Sequence, residues 1–203
     1  MPISLAKGQK ISLAKEAGTN SLNKVFMGVG WDMAGAANTS GKSFFSSIFG
    51  GGGRQDSIDL DASCILFDDQ KKAIDVVFFG QLKSKDGSII HTGDNLTGEG
   101  SGDDEQIIVE LNQVPAHVQT LIFTVSSFRG QTFNQVANAF CRIINAANNQ
   151  EIARYSLSAQ GSHTAQIMAK LYRHNGEWKM AALGENCMGR HFQDMLPSIL
   201  PLV

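Results

Sequence analysis

Along most of the chain, apolar and polar residues alternate with the period of a β-strand. In residues 25–31 an apolar side chain recurs at every second position, from Val25 to Trp31. Residues 120–125 are a short apolar run rich in β-forming residues, which is typical of a buried strand. We therefore expect strands at both places, each with at least one face in a core.

Two hairpins are predicted from residues that favour tight turns. Asn148-Asn149 and Asn175-Gly176 each lie between two apolar segments. Asparagine and glycine tolerate the positive φ that two-residue hairpin turns require. The second pair is the stronger signal, because both of its residues tolerate positive φ well.

The other predicted elements are edge strands and short helices. Residues 3–7 recur as residues 11–15, both reading Ile-Ser-Leu-Ala-Lys with a glycine between the copies. The alternation within each copy predicts two edge strands. Helix is expected only as a turn or two in residues 133–139 and in residues 191–196, the second being stopped by Pro197.

The number and spacing of these elements predict the fold class. Many short strands, with turn signals about every 8–12 residues, favour an all-β fold, an antiparallel β-sandwich with short helical turns. Residues 1–203 are enough for one domain and too few for two sizeable ones. Residues 38–56 do not fit the sandwich, because Gly, Ser and Phe dominate them. We expect a flexible insertion there, with an apolar centre that docks on its own domain, on a partner or on a membrane surface.

Composition and charge exclude several classes of protein. Hydrophobic residues make up 42% of the chain, which is enough for a packed core. The 17 Lys and Arg against 19 Asp and Glu leave a net charge of -2, so no basic field is available to bind nucleic acid. No apolar run approaches the roughly 20 residues of a membrane span, and no signal peptide is evident. Three cysteines far apart in the sequence predict free thiols and a cytoplasmic protein.

Acidic residues are concentrated in one glycine-rich loop. Between Asp86 and Phe128 there is no Lys or Arg, although acidic residues are frequent there. Clustered carboxylates repel one another, and a bound cation removes that cost. The predicted metal ligands of this loop are Asp94, Asn95, Thr97, Glu99, Asp103, Asp104 and Glu105.

A second acidic element precedes an apolar strand. Asp59, Asp61 and Ser63 are spaced to share one face of it, and no Lys or Arg lies within two residues of the two aspartates. Burying such carboxylates without a counter-charge is costly, which favours a metal. Asp32, directly after Trp31, is a further predicted ligand. The alternative is that all these acids are solvated turn residues.

The donor atoms of these residues select calcium. The loop offers carboxylate, amide and hydroxyl oxygens but no His or Cys. Calcium accepts about six to eight oxygens in irregular geometry, whereas magnesium requires a stricter octahedron and zinc and copper prefer other ligands. Leu96 occupies a position where an EF-hand needs Asp or Asn, so the loop is not an EF-hand. We expect one or two calcium ions.

Several long and unusual motifs are spread over nearly the whole chain. They are the repeated Ser-Leu-Ala-Lys start, Gly28-Val29-Gly30-Trp31-Asp32, Asp59-Leu60-Asp61-Ala62-Ser63, residues 93–105, Asn138-Ala139-Phe140 with Arg142, residues 151–155 and residues 171–179. Together they resemble the TerD family of tellurite-resistance and calcium-binding stress proteins. The resemblance implies a β-sandwich that binds calcium through the Asp-x-Asp strand and the Gly-Asp-Asn loop.

The same resemblance implies a non-enzymatic, cytoplasmic, bacterial role in resisting tellurite and other stresses. The implied partners are other tellurite-resistance proteins, in an assembly at the inner face of the inner membrane. The chain departs from the family at Ser101, where the family usually has Asp, and this departure removes one charge from the loop. Nothing in the family accounts for the insertion at residues 38–56.

Three other functions remain open on the sequence. A nucleotide-binding protein would use residues 36–43, which fit a loose phosphate-binding-loop pattern. The apolar segment after them is too short for the helix that this pattern requires. A metal-dependent phosphoesterase would use His91 beside Asp94, although we expect His91 to be an exposed residue at a strand end. A metal-independent protein- or membrane-interaction module would use residues 44–49 as its contact.

Overall fold

The computed structural model describes residues 2–19, 22–33, 59–93, 102–157 and 160–203. The strands are β1 (Ile3–Ser4), β2 (Lys10–Ser12), β3 (Val25–Met33), β4 (Leu60–Asp68), β5 (Ala73–Val77), β6 (Ile89–His91), β7 (Glu105–Val109), β8 (Val118–Ser127), β9 (Val136–Asn145), β10 (Gln150–Ser156), β11 (Ala165–His174) and β12 (Glu177–Cys187). The α-helices are α1 (Leu13–Glu16) and α2 (Phe192–Ile199), and single 3-10 turns occupy Phe133–Gln135 and Leu200–Leu202. The insertion predicted at residues 38–56 lies outside the described residues.

These strands form two six-stranded sheets that pack face to face. The first sheet has the order β1-β10-β9-β3-β7-β6, and the second has the order β2-β12-β11-β8-β4-β5. Every named strand pair is antiparallel except β1 with β10. Alternate side chains of both sheets, such as Val25 and Met27 of β3 and Leu60 and Leu66 of β4, are buried in one core. The predicted all-β sandwich is therefore confirmed.

The repeated N-terminal motif places one copy on each sheet. β1 is an edge strand of the first sheet and β2 is an edge strand of the second, so the prediction of two edge strands is confirmed. The prediction is wrong beyond Ser12, because the second copy turns into α1 instead of continuing as a strand. Ser12 accepts a hydrogen bond from the Lys15 amide as an N-cap, and Leu13 is buried in the core.

Both predicted hairpins are present. Asn149 has a φ of 56° between β9 and β10, and Asn175 and Gly176 have φ values of 52° and 78° between β11 and β12. The helix predictions fare less well. Residues 133–139 contain only one 3-10 turn before β9 begins, and α2 continues through Pro197 to Ile199.

Helix α2 covers the outer face of the second sheet. Its buried residues Met195 and Ile199 pack with Ile65, Phe67 and Ile122 in a second apolar cluster. The part of this face around Ile65, Phe67 and Ile122 is thus covered by the chain itself. In the part of the chain that the structure describes, no helix has the length and apolarity needed to cross a membrane.

Candidate functional site

Three of the predicted ligands, Asp32, Asp103 and Asp104, lie at one end of the first sheet. Asp32 lies near the end of β3, and Asp103 and Asp104 lie directly before β7, which runs antiparallel to β3. Glu105, the first residue of β7, reaches across to Ala62 near the start of β4. The predicted ligands Asp94, Asn95, Thr97 and Glu99, together with Ser101, lie outside the described residues.

Asp32 and Asp104 are two predicted ligands that line the same cavity. Asp104 Oδ2 accepts a hydrogen bond of 2.7 Å from the Trp31 amide, and Asp32 Oδ2 accepts one of 2.8 Å from Asn138 Nδ2. Asn138 adopts a φ of 51°, a left-handed conformation that asparagine tolerates. Burial, then repulsion from Asp32 and Asp103, raises the pKa of the Asp104 carboxyl, although its bond to Trp31 opposes the change.

The Asp103 carboxylate packs against Gly28 of β3 and is neutralised there by Arg142. A Cβ atom at Gly28 would collide with the Asp103 carboxylate, so glycine is required at that position. Arg142 Nε donates to Asp103 Oδ1 at 2.6 Å, and Gln106 Nε2 donates to Oδ2 at 2.9 Å. The same arginine bonds Glu151 at 3.0 Å. The hydrogen bond to Asp103 is the largest of the effects that raise the pKa of Arg142.

Asp59 also has a positive partner. Arg129, in the turn after β8, donates from Nε to Asp59 Oδ2 at 3.1 Å. The premise that the acidic elements lack counter-charges is therefore wrong for Asp59 and for Asp103. Their partners Arg129 and Arg142 are 70 and 39 residues away in sequence, so no local pattern could reveal them.

Asp61 lines a different cavity from the one that Asp32 and Asp104 line. Asp61 and Ser63 line a cavity of about 340 Å³ on the α2 side of the second sheet, with Phe78, Phe79 and Phe192 among its walls. Asp61 is 6% exposed. The two acids that line the larger cavity described below are Asp32 and Asp104.

Glu105 and His91 form a buried pair between the sheets. Glu105 Oε2 accepts from the Ala62 amide at 2.7 Å and lies 3.2 Å from His91 Nε2. His91 Nδ1 accepts from the Gly93 amide at 3.1 Å, so the ring proton is on Nε2 and points to Glu105.

The expectation that His91 is exposed is wrong, since only 2% of the residue is accessible. The register of β6 on β7 pairs His91 with Ile107, a core residue, and this pairing turns the imidazole inward. His91 lines neither of the two cavities described here. The geometry thus gives no support to the phosphoesterase alternative.

The largest cavity at this end has a volume of about 570 Å³. Its walls are formed by Trp31, Asp32, Gly102, Asp104, Asn138, Ala139, Phe140, Arg154, Ser156 and Leu157. Sequence reasoning identified Asp32 and Asp104 but did not assign a role to Trp31, Asn138, Arg154 or Ser156. The pairing of β3 with β9 and of β9 with β10 brings these residues to one place.

The described residues supply only part of a calcium site. Within the ranges that the structure describes, no three His, Cys, Asp or Glu side chains form a group that could hold a metal ion. Asp32 and Asp104 are ligands of the type that calcium takes, but two carboxylates fall short of about six to eight oxygens.

The chain is similar to proteins named for tellurium resistance and stress response. The family model described as TerD domain matches residues 1–197. The tellurium resistance protein TerZ of Serratia marcescens is 47% identical, with 99% of this chain and 98% of that protein covered. The stress response protein SCP2 of Bacillus subtilis (strain 168) is 41% identical, with 97% of this chain and 98% of that protein covered.

A solved structure shares the fold. The crystal structure of a homologue of telluride resistance protein (TerD) from Streptomyces coelicolor A3(2) matches with a TM-score of 0.63 at 19% identity. The match covers 83% of this chain and 92% of that one. At this identity the likeness concerns the architecture alone.

Proposed function

Because the chain belongs to the TerD family, whose relatives named above act in tellurium resistance and stress response, we propose that it is a non-enzymatic calcium-binding protein of that kind. Calcium would hold the acidic end of the sandwich in one arrangement, and this surface would bind partner proteins. The proposal takes its oxygen-only ligand set from the sequence and its location from the cavity at Asp32 and Asp104.

The observation that carries the proposal is the electrostatic state of Asp104. Burial and the charges of Asp32 and Asp103 raise its pKa, which means that its anionic form is less favourable than that of an ordinary exposed aspartate. A divalent cation beside Asp32 and Asp104 would reverse the repulsion. No such cation is needed at Asp103, because Arg142 already neutralises it.

We assign the predicted ligands to different roles. Asp32 and Asp104 would bind the ion directly, together with Asp94, Asn95, Thr97 and Glu99. Asp61 would serve a second ion if two are bound, and Asp59 would join it only by exchanging its ion pair with Arg129 for the metal. Asp103 and Glu105, which are held by Arg142 and by His91 and Ala62, would position the backbone that leads into the loop.

The proposed partners are other tellurite-resistance proteins. A cytoplasmic assembly peripheral to the inner membrane would use the calcium-bound end as its contact surface. A loop fixed by an ion loses less conformational freedom when a partner binds than a mobile loop does. Calcium is therefore expected to strengthen association.

The test is a thermal melt with calcium and with a chelator. At a calcium concentration of about 100 Kd, the ion stabilises the native state by about 2.7 kcal/mol, which raises the Tm of a protein of this size by roughly 5–10 °C. Asp104→Asn keeps an acceptor for the Trp31 amide and loses the charge, so it should lose most of the increase. Glu110→Gln is the matched control, because Glu110 pairs with Lys24 beyond the other end of β7.

Two results would contradict the proposal. One is a wild-type melting temperature that neither calcium nor the chelator changes. The other is an Asp104→Asn variant that responds to calcium as fully as Glu110→Gln does.

A further inference from the structure

Five aromatic side chains form one continuous surface patch on the α2 side of the second sheet. Phe78 and Phe79 follow β5, Phe128 follows β8, and His191 and Phe192 begin α2. The ring centroids of Phe79 and Phe128 are 5.7 Å apart, and those of Phe128 and His191 are 5.2 Å apart. Phe78 lies 5.3 Å from Phe79 and 6.0 Å from Phe192. These five residues are called the aromatic patch below.

The aromatic patch is open to solvent over part of its area. Phe79 is 39% exposed and Phe128 is 45% exposed. Single apolar residues on a surface need no explanation, but exposed rings that touch one another are typical of a binding surface. Phe78, Phe79 and Phe192 also line the cavity of about 340 Å³ beside Asp61. The patch therefore has a recess that can receive a side chain.

The chain segment between β3 and β4 rejoins the described fold directly beside this patch. Leu60 of β4 pairs with Ser127, the residue before Phe128. Asp59 Oδ2 accepts a hydrogen bond from Arg129, the residue after Phe128. The point at which the chain enters β4 is therefore adjacent to one of the exposed rings.

An aromatic segment precedes this point in the sequence. Residues 44–49 read Phe-Phe-Ser-Ser-Ile-Phe, and no charged residue occurs from Ser43 to Gly53. Phe49 precedes Asp59 by ten residues, and four glycines lie between them. A glycine-rich chain of ten residues spans about 16–19 Å on average. Because neighbouring rings of the patch are 5.2–6.0 Å apart, this length is sufficient to reach all of them.

We propose that residues 44–49 dock on the aromatic patch of their own chain and place a phenylalanine in the recess between Phe78, Phe79 and Phe192. Burial of aromatic surface on both sides is favourable, and contacts between aromatic rings add to it. The short connection to Asp59 gives the segment an effective concentration on the order of millimolar at the patch. A segment of a second copy, or a membrane surface, does not have this advantage.

Chymotrypsin, which cleaves after accessible phenylalanines, tests the docking in the full chain. Mass spectrometry measures the rate of cleavage within residues 44–49. Phe128→Ser removes one ring of the patch and should accelerate this cleavage roughly 5- to 50-fold, because cleavage follows the undocked fraction. Leu200→Ser is the matched control, since Leu200 is also 45% exposed but lies beyond the other end of α2. Circular dichroism establishes that both variants are folded.

Changes within the segment test the same contact from the other side. Phe45→Ser combined with Phe49→Ser should uncover the patch and increase the binding of the fluorescent dye anilinonaphthalene sulfonate severalfold. Ser47→Ala, in the same segment, is the control and should leave dye binding unchanged. These variants retain every residue of the patch, so they test the proposal even if Phe128→Ser does not fold.

The proposal is overturned if Phe128→Ser is cleaved no faster than the wild-type chain, or if Leu200→Ser accelerates cleavage equally. Protection that increases with protein concentration would assign the segment to a second copy. Protection that appears only with vesicles of phosphatidylglycerol and phosphatidylcholine would assign it to a membrane surface. Either result rejects docking on the same chain. The predicted outcomes do not depend on calcium, so this proposal and the calcium proposal can fail independently.

Discussion

His163 is a histidine that the fold keeps away from water. It is 7% exposed, its ring stacks on Phe133 with centroids 4.6 Å apart, and its Nε2 has no hydrogen-bond partner among the residues that the structure describes. A Cβ atom at Gly161 would approach its Nδ1 to 2.5 Å, which indicates how closely the backbone encloses the ring. Burial lowers the pKa of His163 from its ordinary value of 6.5.

This environment predicts a pH dependence of stability. Because the folded protein binds the proton less readily than the unfolded chain, protonation favours unfolding. The free energy of unfolding should therefore hold above about pH 6.5 and fall as the pH drops below it. His163→Phe keeps the stacking and removes the titration. Urea unfolding of both proteins across this range should show a shallower loss in the variant, and identical slopes would contradict the prediction.

Among the strands, the β11–β12 hairpin has a turn that requires particular residues. Asn175 and Gly176 both have positive φ, and a side chain with a Cβ costs about 1–2 kcal/mol in that region. Gly176→Ala should lower the free energy of unfolding by about that amount, even though no atom would meet the added Cβ within 4 Å. Asn175→Gly is the control and should be nearly neutral. Chemical denaturation of the two variants measures the difference, and equal stabilities would disprove the strain argument.

Helix α2 continues past a proline that was expected to end it. Proline lacks an N–H and usually ends a helix, which is why residues 191–196 were expected to stop at Pro197. The helix continues to Ile199, because Met195 and Ile199 are buried against the second sheet. Burial of two large side chains from the last turns offsets one missing hydrogen bond.

Across the whole molecule, Arg142 links elements that are distant in the sequence. It lies on β9 and bonds both Asp103, before β7, and Glu151, on β10. The Asp103 side chain is fully buried, while that of Arg142 is 23% exposed. The ion pair therefore ties the acidic loop to the first sheet.

Removal of this arginine should be costly. Arg142→Met leaves Asp103 as an unpaired buried charge and should destabilise the protein by roughly 2–4 kcal/mol. Lys24→Met is the matched control, because its pair with Glu110 is more exposed and such pairs contribute about 0–1 kcal/mol. Unfolding by urea compares the two variants. Combining Arg142→Met with Asp103→Asn should recover part of the loss; if it recovers none, the loss is not due to the unpaired charge.

The sequence alone was sufficient for the class of fold and for both hairpins, because alternation and positive-φ residues act within a few positions of each other. It also identified Asp32 and the acids of residues 103–105 as candidate ligands, and the antiparallel pairing of β3 with β7 then brings them to one end. Only the tertiary structure decided which of these charges are neutralised, and by what. Arg129 and Arg142 reach their carboxylates across 70 and 39 residues of the chain, and the pairing of β6 with β7 turns His91 inward to Glu105. The cavity lined by Asp32, Asp104 and Arg154 has the same origin, because a site formed by several strands exists only once the sheets have formed.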